Sequence, residues 1–132
     1  MWLRVALPVY WIALLAATHY PRVPMPGEVP NSDKAIHFVA FGGLALLLWR
    51  FMAARPRPLT AASVWIAAAV LVPYATLDEY TQQFVGRHTD LADWAANLAG
   101  ILGVLATLEL RRRWQRTRGR ADADPEPGVA PR

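Results

Sequence analysis

The chain has 132 residues, 55% of them hydrophobic and 18% charged, with 14 Lys and Arg against 10 Asp and Glu and no Cys. One domain is expected at this length, and the lack of cysteine excludes disulfides and thiolate-bound metals. A small soluble domain would place polar residues at every helical turn or every second strand position. Here the apolar residues run in four long blocks and the charges collect between them, which is the pattern of membrane spans.

The blocks cover about residues 3–20, 35–53, 60–77 and 91–110. Each has about 17–20 residues, near the ~20 that cross a ~30 Å hydrocarbon core as a helix. The first block also has features of a secretory signal, with Arg4 ahead of "VALPVYWIALLAA". Against that, "THYPRVP" offers no good small-residue cleavage site, and Trp2, Tyr10 and Trp11 are heavy for such a segment, so the block is read as a span. The third block holds Pro73, which membrane helices accept more readily than lone helices in water. The expected architecture is an all-α polytopic membrane protein. A four-transmembrane-helix bundle occupies residues 1–112, and a basic, then disordered, cytoplasmic tail occupies 113–132.

Four spans put both termini on one side, together with the linker "ARPRPL" at 54–59. That side holds Arg4, Arg50, Arg55, Arg57, Arg111, Arg112, Arg113, Arg116, Arg118, Arg120 and Arg132. The opposite side keeps Arg22, Lys34 and Arg87, and eleven against three makes both termini cytoplasmic by the positive-inside rule. The stretch "RRRWQRTRGR" then reads as an anchor near anionic lipid, with Trp114 at the interface. No folded basic module surrounds it, so no nucleic acid is expected as a partner. The closing "ADADPEPGVAPR" is too poor in apolar residues to order. Glu28, Asp33, Asp78, Glu79, Asp90 and Asp93 fall on the outer side, as do His19, His37 and His88.

Three polar segments meet there. In "NSDKAIHFVAF", Ser32 or Asp33 can cap the second span, and His37 lies one turn deeper than Asp33 on the same face. Pro56 and Pro58 make a tight linker, so spans two and three form an antiparallel hairpin that returns Asp78 and Glu79 to the depth of Asp33 and His37. Leu77, Tyr80 and Phe84 continue the helical spacing of span three toward Gly86, a C-terminal cap, with Gln82 one turn beyond Asp78. In "TDLADWAANLAG", Thr89 or Asp90 caps span four, while Asp90, Asp93 and Asn97 share a face. Asp33, Asp90 and Asp93 sit at helix starts, where the dipole favours anions. Asp78 and Glu79 sit near a helix end, where a carboxylate is opposed by about 0.3–1 kcal/mol. Those two therefore want partners, with Arg87, Lys34 and His37 the cations in reach. Ala92, Ala96 and Gly100 recur every fourth residue, as do Ala99 and Gly103, and let another helix, or a second copy of the chain, approach closely.

The pair "DKAIHFVAFGGL" (33–44) and "DEYTQQFVGRHTDLADWAANLAG" (78–100) resembles the VanZ-like family of small bacterial membrane proteins. The family pattern is Asp-Lys-x-x-His followed by Phe, then Asp-Glu-x-x-Gln-x-Phe, an Arg, two acids, an Asn or Asp, and a Gly. It falls on Asp33, Lys34, His37 and Phe41, then Asp78, Glu79, Gln82, Phe84, Arg87, Asp90, Asp93, Asn97 and Gly100. The likeness covers about residues 31–103, and it departs at Val85-Gly86-Arg87, one residue shorter than the family's usual run around Pro-Gly-Arg. Each piece alone is a weak signal; the combination of spacings is specific.

The resemblance implies a protein of the bacterial cytoplasmic membrane with an envelope role related to resistance to teicoplanin, a lipid-tailed glycopeptide. The leading expectation is a protein that is non-enzymatic or of uncharacterised activity. Its outer polar cluster, Asp33, Lys34, His37, Asp78, Glu79, Gln82, Arg87, Asp90, Asp93 and Asn97, binds lipid head groups, a lipid-linked envelope precursor or a lipoglycopeptide. Two alternatives stay open: an enzyme acting on a lipid-linked substrate through His37, Asp33, Glu79, Asp93 and His88, and a purely structural polar latch. No HxxxH or HExxH motif occurs, so neither metal nor cofactor is assigned.

Overall fold

The structure is a computed structural model that describes residues 2–20, 32–56, 58–87 and 89–121, with no side-chain description for residues 120 and 121. Arg22, Glu28, Arg57, His88 and Arg132 lie outside the described residues, as do the side chain of Arg120 and the stretch expected to be disordered from 122 onward. The elements are α1 (Leu3–Thr18), α2 (Ser32–Ala53), α3 (Ala61–Thr81), a 3-10 turn (Gln82–Val85) and α4 (Leu91–Ala121). Among the described residues there is no β-strand.

Three helical stretches, Ser32–Ala53, Ala61–Val85 and Leu91–Gly119, are long and apolar enough to cross a membrane. The α1 helix is apolar but has 16 residues, about 24 Å at 1.5 Å per residue and so short of a ~30 Å core. At the other extreme, α4 has 31 residues and runs about 46 Å. Its apolar block ends near residue 110, yet the helix continues through the arginines of 111–120.

Local chemistry sets the helix ends. Tyr20 precedes Pro21 and Arg55 precedes Pro56, and a residue before proline is steered out of the α region, so α1 and α2 stop just short of these points. Thr60 caps α3 in a reciprocal box with Ser63. After the 3-10 turn, Gly86 takes a left-handed φ of 77°, which reverses the chain toward α4. Asp90 Oδ1 accepts the Ala92 N–H at 2.8 Å and caps α4.

The buried residues repeat every fourth position. The stripes are His37, Phe41, Ala45, Trp49 on α2; Ser63, Ala67, Leu71, Ala75, Glu79 on α3; and Asp93, Asn97, Ile101, Leu105, Glu109 on α4. Each stripe is apolar in its middle and polar at one or both ends. Large apolar side chains also face outward along all four helices, including Ile12, Val39, Trp65, Val70 and Leu102. That distribution suits an apolar surrounding and leaves van der Waals packing to hold the helices together.

The largest interface joins α2 to α4. It is a glycine seam: a Cβ on Gly100 would run into the Phe38 carbonyl, and Gly42 lies against the Gly100 backbone. The small residue at position 100, expected to allow close approach, is thus used within the chain. Aromatic rings fill the space between helices, with Tyr74 edge-on to Trp11 at 4.9 Å and tilted on Phe41 at 5.8 Å.

Candidate functional site

The ends of α1 and α3 and the starts of α2 and α4 meet at one end of the bundle, and the polar ends of the buried stripes meet with them. Asp78 is 1% exposed and Glu79 5%, although both are acids near the C-terminus of α3. Ala75 is one turn before Glu79 on the same face, so the face that packs the core also carries the carboxylates inward.

Asp78 is satisfied from α1 and from its own end of α3. The Thr18 hydroxyl donates to Asp78 Oδ1 at 2.9 Å, and Tyr74, one turn earlier on α3, donates to the same oxygen at 3.4 Å. The Gln82 amide donates to Asp78 Oδ2 at 3.3 Å and to Glu79 Oε2 at 3.4 Å, bridging the two acids. His19 lies alongside, with Nδ1 3.8 Å from Asp78 Oδ1 and Nε2 2.9 Å from the Thr81 hydroxyl oxygen. Glu79 points the other way: its Oε1 accepts the backbone N–H of Asp90 at 2.7 Å, tying α3 to the entry of α4. An anion at that place is favoured by the positive end of the α4 dipole.

The other half of the site lies between α2 and α4. Lys34 Nζ donates to Asp90 at 3.2 Å and Asp93 at 3.4 Å, and stands 3.6 Å from Asp33. His37 and Asn97 face each other across the glycine seam, with Nδ1 to Oδ1 at 2.9 Å. An amide oxygen only accepts, so in this arrangement Nδ1 carries the proton and Nε2 is turned toward Asp93 Oδ2, 3.9 Å away. Asn97 is fully buried and its Nδ2 is the buried side-chain polar atom without a hydrogen-bond partner among the described residues. Outside the spans, Asp90 is held below the usual carboxylate range by the Ala92 N–H and then by Lys34.

Every residue of the expected cluster that lies at this end is present, but the pairing differs from the expected one. Arg87 does not meet Asp78 or Glu79. Its guanidinium donates to the carbonyls of Thr18 at 2.9 Å and Tyr20 at 3.4 Å, closing the C-terminus of α1. Lys34 likewise serves Asp90 and Asp93 at the entry of α4, while His37, 3.9 Å from Asp93, acts electrostatically on Asp78 and Glu79 as well. Sequence reasoning put His19 on the outer side without assigning it to the cluster, and missed Thr18, Tyr74 and Thr81. The signal available was that Thr18 and His19 are the polar residues ending the first apolar block, and that Tyr74 is four residues before Asp78.

A 410 Å³ groove opens between α3 and α4 beside Glu79, walled by Tyr80, Leu91 and Trp94 and edged by Thr76 and Asp90. Trp94 Nε1 donates to the Thr76 hydroxyl at 3.0 Å and so closes one side of it. Among the described residues no group of three or more His, Asp or Glu side chains is arranged to hold a metal ion. Comparison with family models, curated proteins and solved structures returns no match.

Proposed function

We propose that the chain is a VanZ-like protein of the bacterial cytoplasmic membrane. In this reading it spans four times, with both termini cytoplasmic, is non-enzymatic or of uncharacterised activity, and receives at its outer polar end the head group of an envelope lipid or a lipid-tailed glycopeptide. The groove beside Glu79 is the observation that carries the reading. It joins an apolar wall of Tyr80, Leu91 and Trp94 to two carboxylates, Glu79 and Asp90, which suits a molecule with an acyl chain and a head bearing amines or sugar hydroxyls. Among the described residues acids exceed cations at this end: Asp33, Asp78, Glu79, Asp90 and Asp93 stand against Lys34 and Arg87, with His19 and His37 beside them. The short α1 completes a fourth crossing if Trp2 and Tyr20 anchor its ends at the two interfaces.

The test is susceptibility of a sensitive bacterium expressing the wild type or Glu79→Gln to teicoplanin and to vancomycin, which lacks the lipid tail. The expected result is a shift for teicoplanin that Glu79→Gln removes while protein abundance is unchanged. No shift for either drug in the wild type sinks the glycopeptide reading. For the topology, cysteines introduced at 86 and 57 should label from opposite sides of the membrane in intact cells.

A latch is the second reading, favoured by the internal partners of Asp78. Three side chains donate to its two oxygens, and the bond from Thr18 ties α1 to α3, so that acid can be explained as a latch. The two readings separate on Glu79→Gln: a folded, abundant variant without the phenotype supports binding, and a variant lost from the membrane supports the latch.

A further inference from the structure

The opposite end of the bundle carries a feature that the acidic site does not use. Arg4 on α1, Arg50 and Arg55 at the end of α2, and five arginines of α4 between 111 and 118 make eight described cations there. Among the described residues one carboxylate, Glu109, lies at this end. Glu109 is gripped by Arg112, through Nε at 2.6 Å and a terminal nitrogen at 2.7 Å, and by Arg113 Nε at 2.7 Å. It offsets one charge and leaves seven.

Two of those arginines are turned toward the α2–α3 linker. Arg112 and Arg116, one turn apart, both donate to the Leu59 carbonyl, at 3.4 and 3.1 Å. A 470 Å³ crevice opens beside them, walled by Ala53, Pro58 and Leu59 and edged by Arg55, Arg112 and Arg116. A second crevice of 610 Å³, walled by Leu3, Phe51 and Ala54 and edged by Arg4, shares Arg55 with the first. The Arg55 guanidinium lies 4.7 Å from the centre of the Phe51 ring, so its stem follows the apolar wall while its charge stays at the rim.

A guanidinium fork matches two oxygens of one phosphate, and several around one crevice favour a phosphate ester over a lone carboxylate. The walls decide the source. Free phosphate has no use for Phe51, Leu3 or Leu59, whereas the glycerol backbone and first methylenes of a phospholipid cover such walls. The crevices also lie where the apolar block of α4 gives way to its arginines, which is the head-group level for a helix that leaves the membrane.

We propose that the crevices sharing Arg55 bind the phosphate head group of an anionic phospholipid. Arg55 and Arg116 hold the phosphate, Arg4 and Arg112 flank it, and Phe51 and Leu59 cover the start of the acyl chains. The proposal rests on the reading of the helices as membrane spans.

The experiment is native mass spectrometry of the full chain released from micelles containing equal phosphatidylglycerol and phosphatidylcholine. The wild type should retain phosphatidylglycerol preferentially. Arg55→Gln/Arg116→Gln changes two exposed side chains, and its fold is checked by circular dichroism. It should reduce that preference by roughly tenfold or more, and Gly103→Ala, which meets open space, should leave it unchanged. Equal retention of the two lipids by the wild type overturns the proposal, as does an undiminished preference in the folded double variant. Displacement of the lipid by millimolar inorganic phosphate overturns it too, since that marks a free-phosphate site. Extraction of the protein from membranes by alkaline carbonate overturns the span reading and this proposal with it. A protein that stays in the membrane but shows no preference overturns this proposal alone.

Discussion

The two ends of the bundle hold their charges in opposite ways. At the acidic end local partners are joined by partners from other helices: Thr18 reaches Asp78 across 60 residues of sequence, and His37 reaches Asn97 across 60. At the basic end Glu109 is held by residues three and four places along its own helix. The first kind of bond exists only once the bundle has assembled, and burial removes water as a competing partner. The second forms as soon as α4 is helical. The acids of one end therefore report on tertiary structure, while those of the other report on a single helix.

Substitution of one buried acid from each end tests this contrast most directly. Asp78→Ala removes the acceptor that ties Thr18 of α1 to α3 and leaves a buried cavity, and should lower stability by about 2 kcal/mol. Glu109→Ala should cost less than about 1 kcal/mol, the scale of a local ion pair. Thermal unfolding in detergent measures both, and equal losses would break the comparison.

Next in size is the seam between the ends. Gly100→Ala drives a methyl into the Phe38 carbonyl and should cost about 1–3 kcal/mol, whereas Gly103→Ala meets open space and should cost nothing. If both variants unfold alike, close approach of α2 and α4 is not what joins the halves of the site.

A smaller effect is expected at the α1 terminus. Arg87→Gln removes the donor to the Thr18 and Tyr20 carbonyls and should cost about 1 kcal/mol. Faster amide exchange at His19, whose N–H closes on Leu15, would show that the loss is local to that turn.

The smallest effect is a pH dependence at Asp90. Its folded carboxyl ionises below the usual range, so its contribution is complete above the ordinary aspartate pKa and is lost as pH falls through the lower folded value. Protection of the Ala92 amide, measured against its intrinsic exchange rate at each pH, should fall over that acid range and hold between neutral and mildly alkaline pH. In Asp90→Asn the acid-range change should vanish; its persistence would assign the effect to another carboxylate.

Much of this fold was legible along the chain. Runs of apolar residues marked the helices, Pro21 and Pro56 their ends, and Gly86 the reversal before α4. The i, i+3, i+7 spacing of Asp90, Asp93 and Asn97 placed them together, and Asp93 and Asn97 are buried on one stripe. The wrong position of Asp78 and Glu79 on the α3 dipole also marked them as residues in need of partners. The partners themselves were not legible. Cation proximity suggested Arg87, but a carbonyl-rich helix end competes for a guanidinium as strongly as a carboxylate already served by Thr18 and Gln82. The reach of the arginines of α4 to Leu59 was equally hidden, because the apolar pattern ends before the helix does.

By itself the sequence determined the cores of the four helices, where they turn and which face of each is polar near its ends. Those properties depend on neighbours within about one turn, through propensity, caps and periodicity. Only the tertiary structure decided that α1 completes the site, that Glu79 docks on the entry of α4, and that Gly100 lets His37 meet Asn97. Each of these depends on how one helix is rotated and how closely it approaches the next. Periodicity fixes a face but leaves that rotation free until the side chains pack.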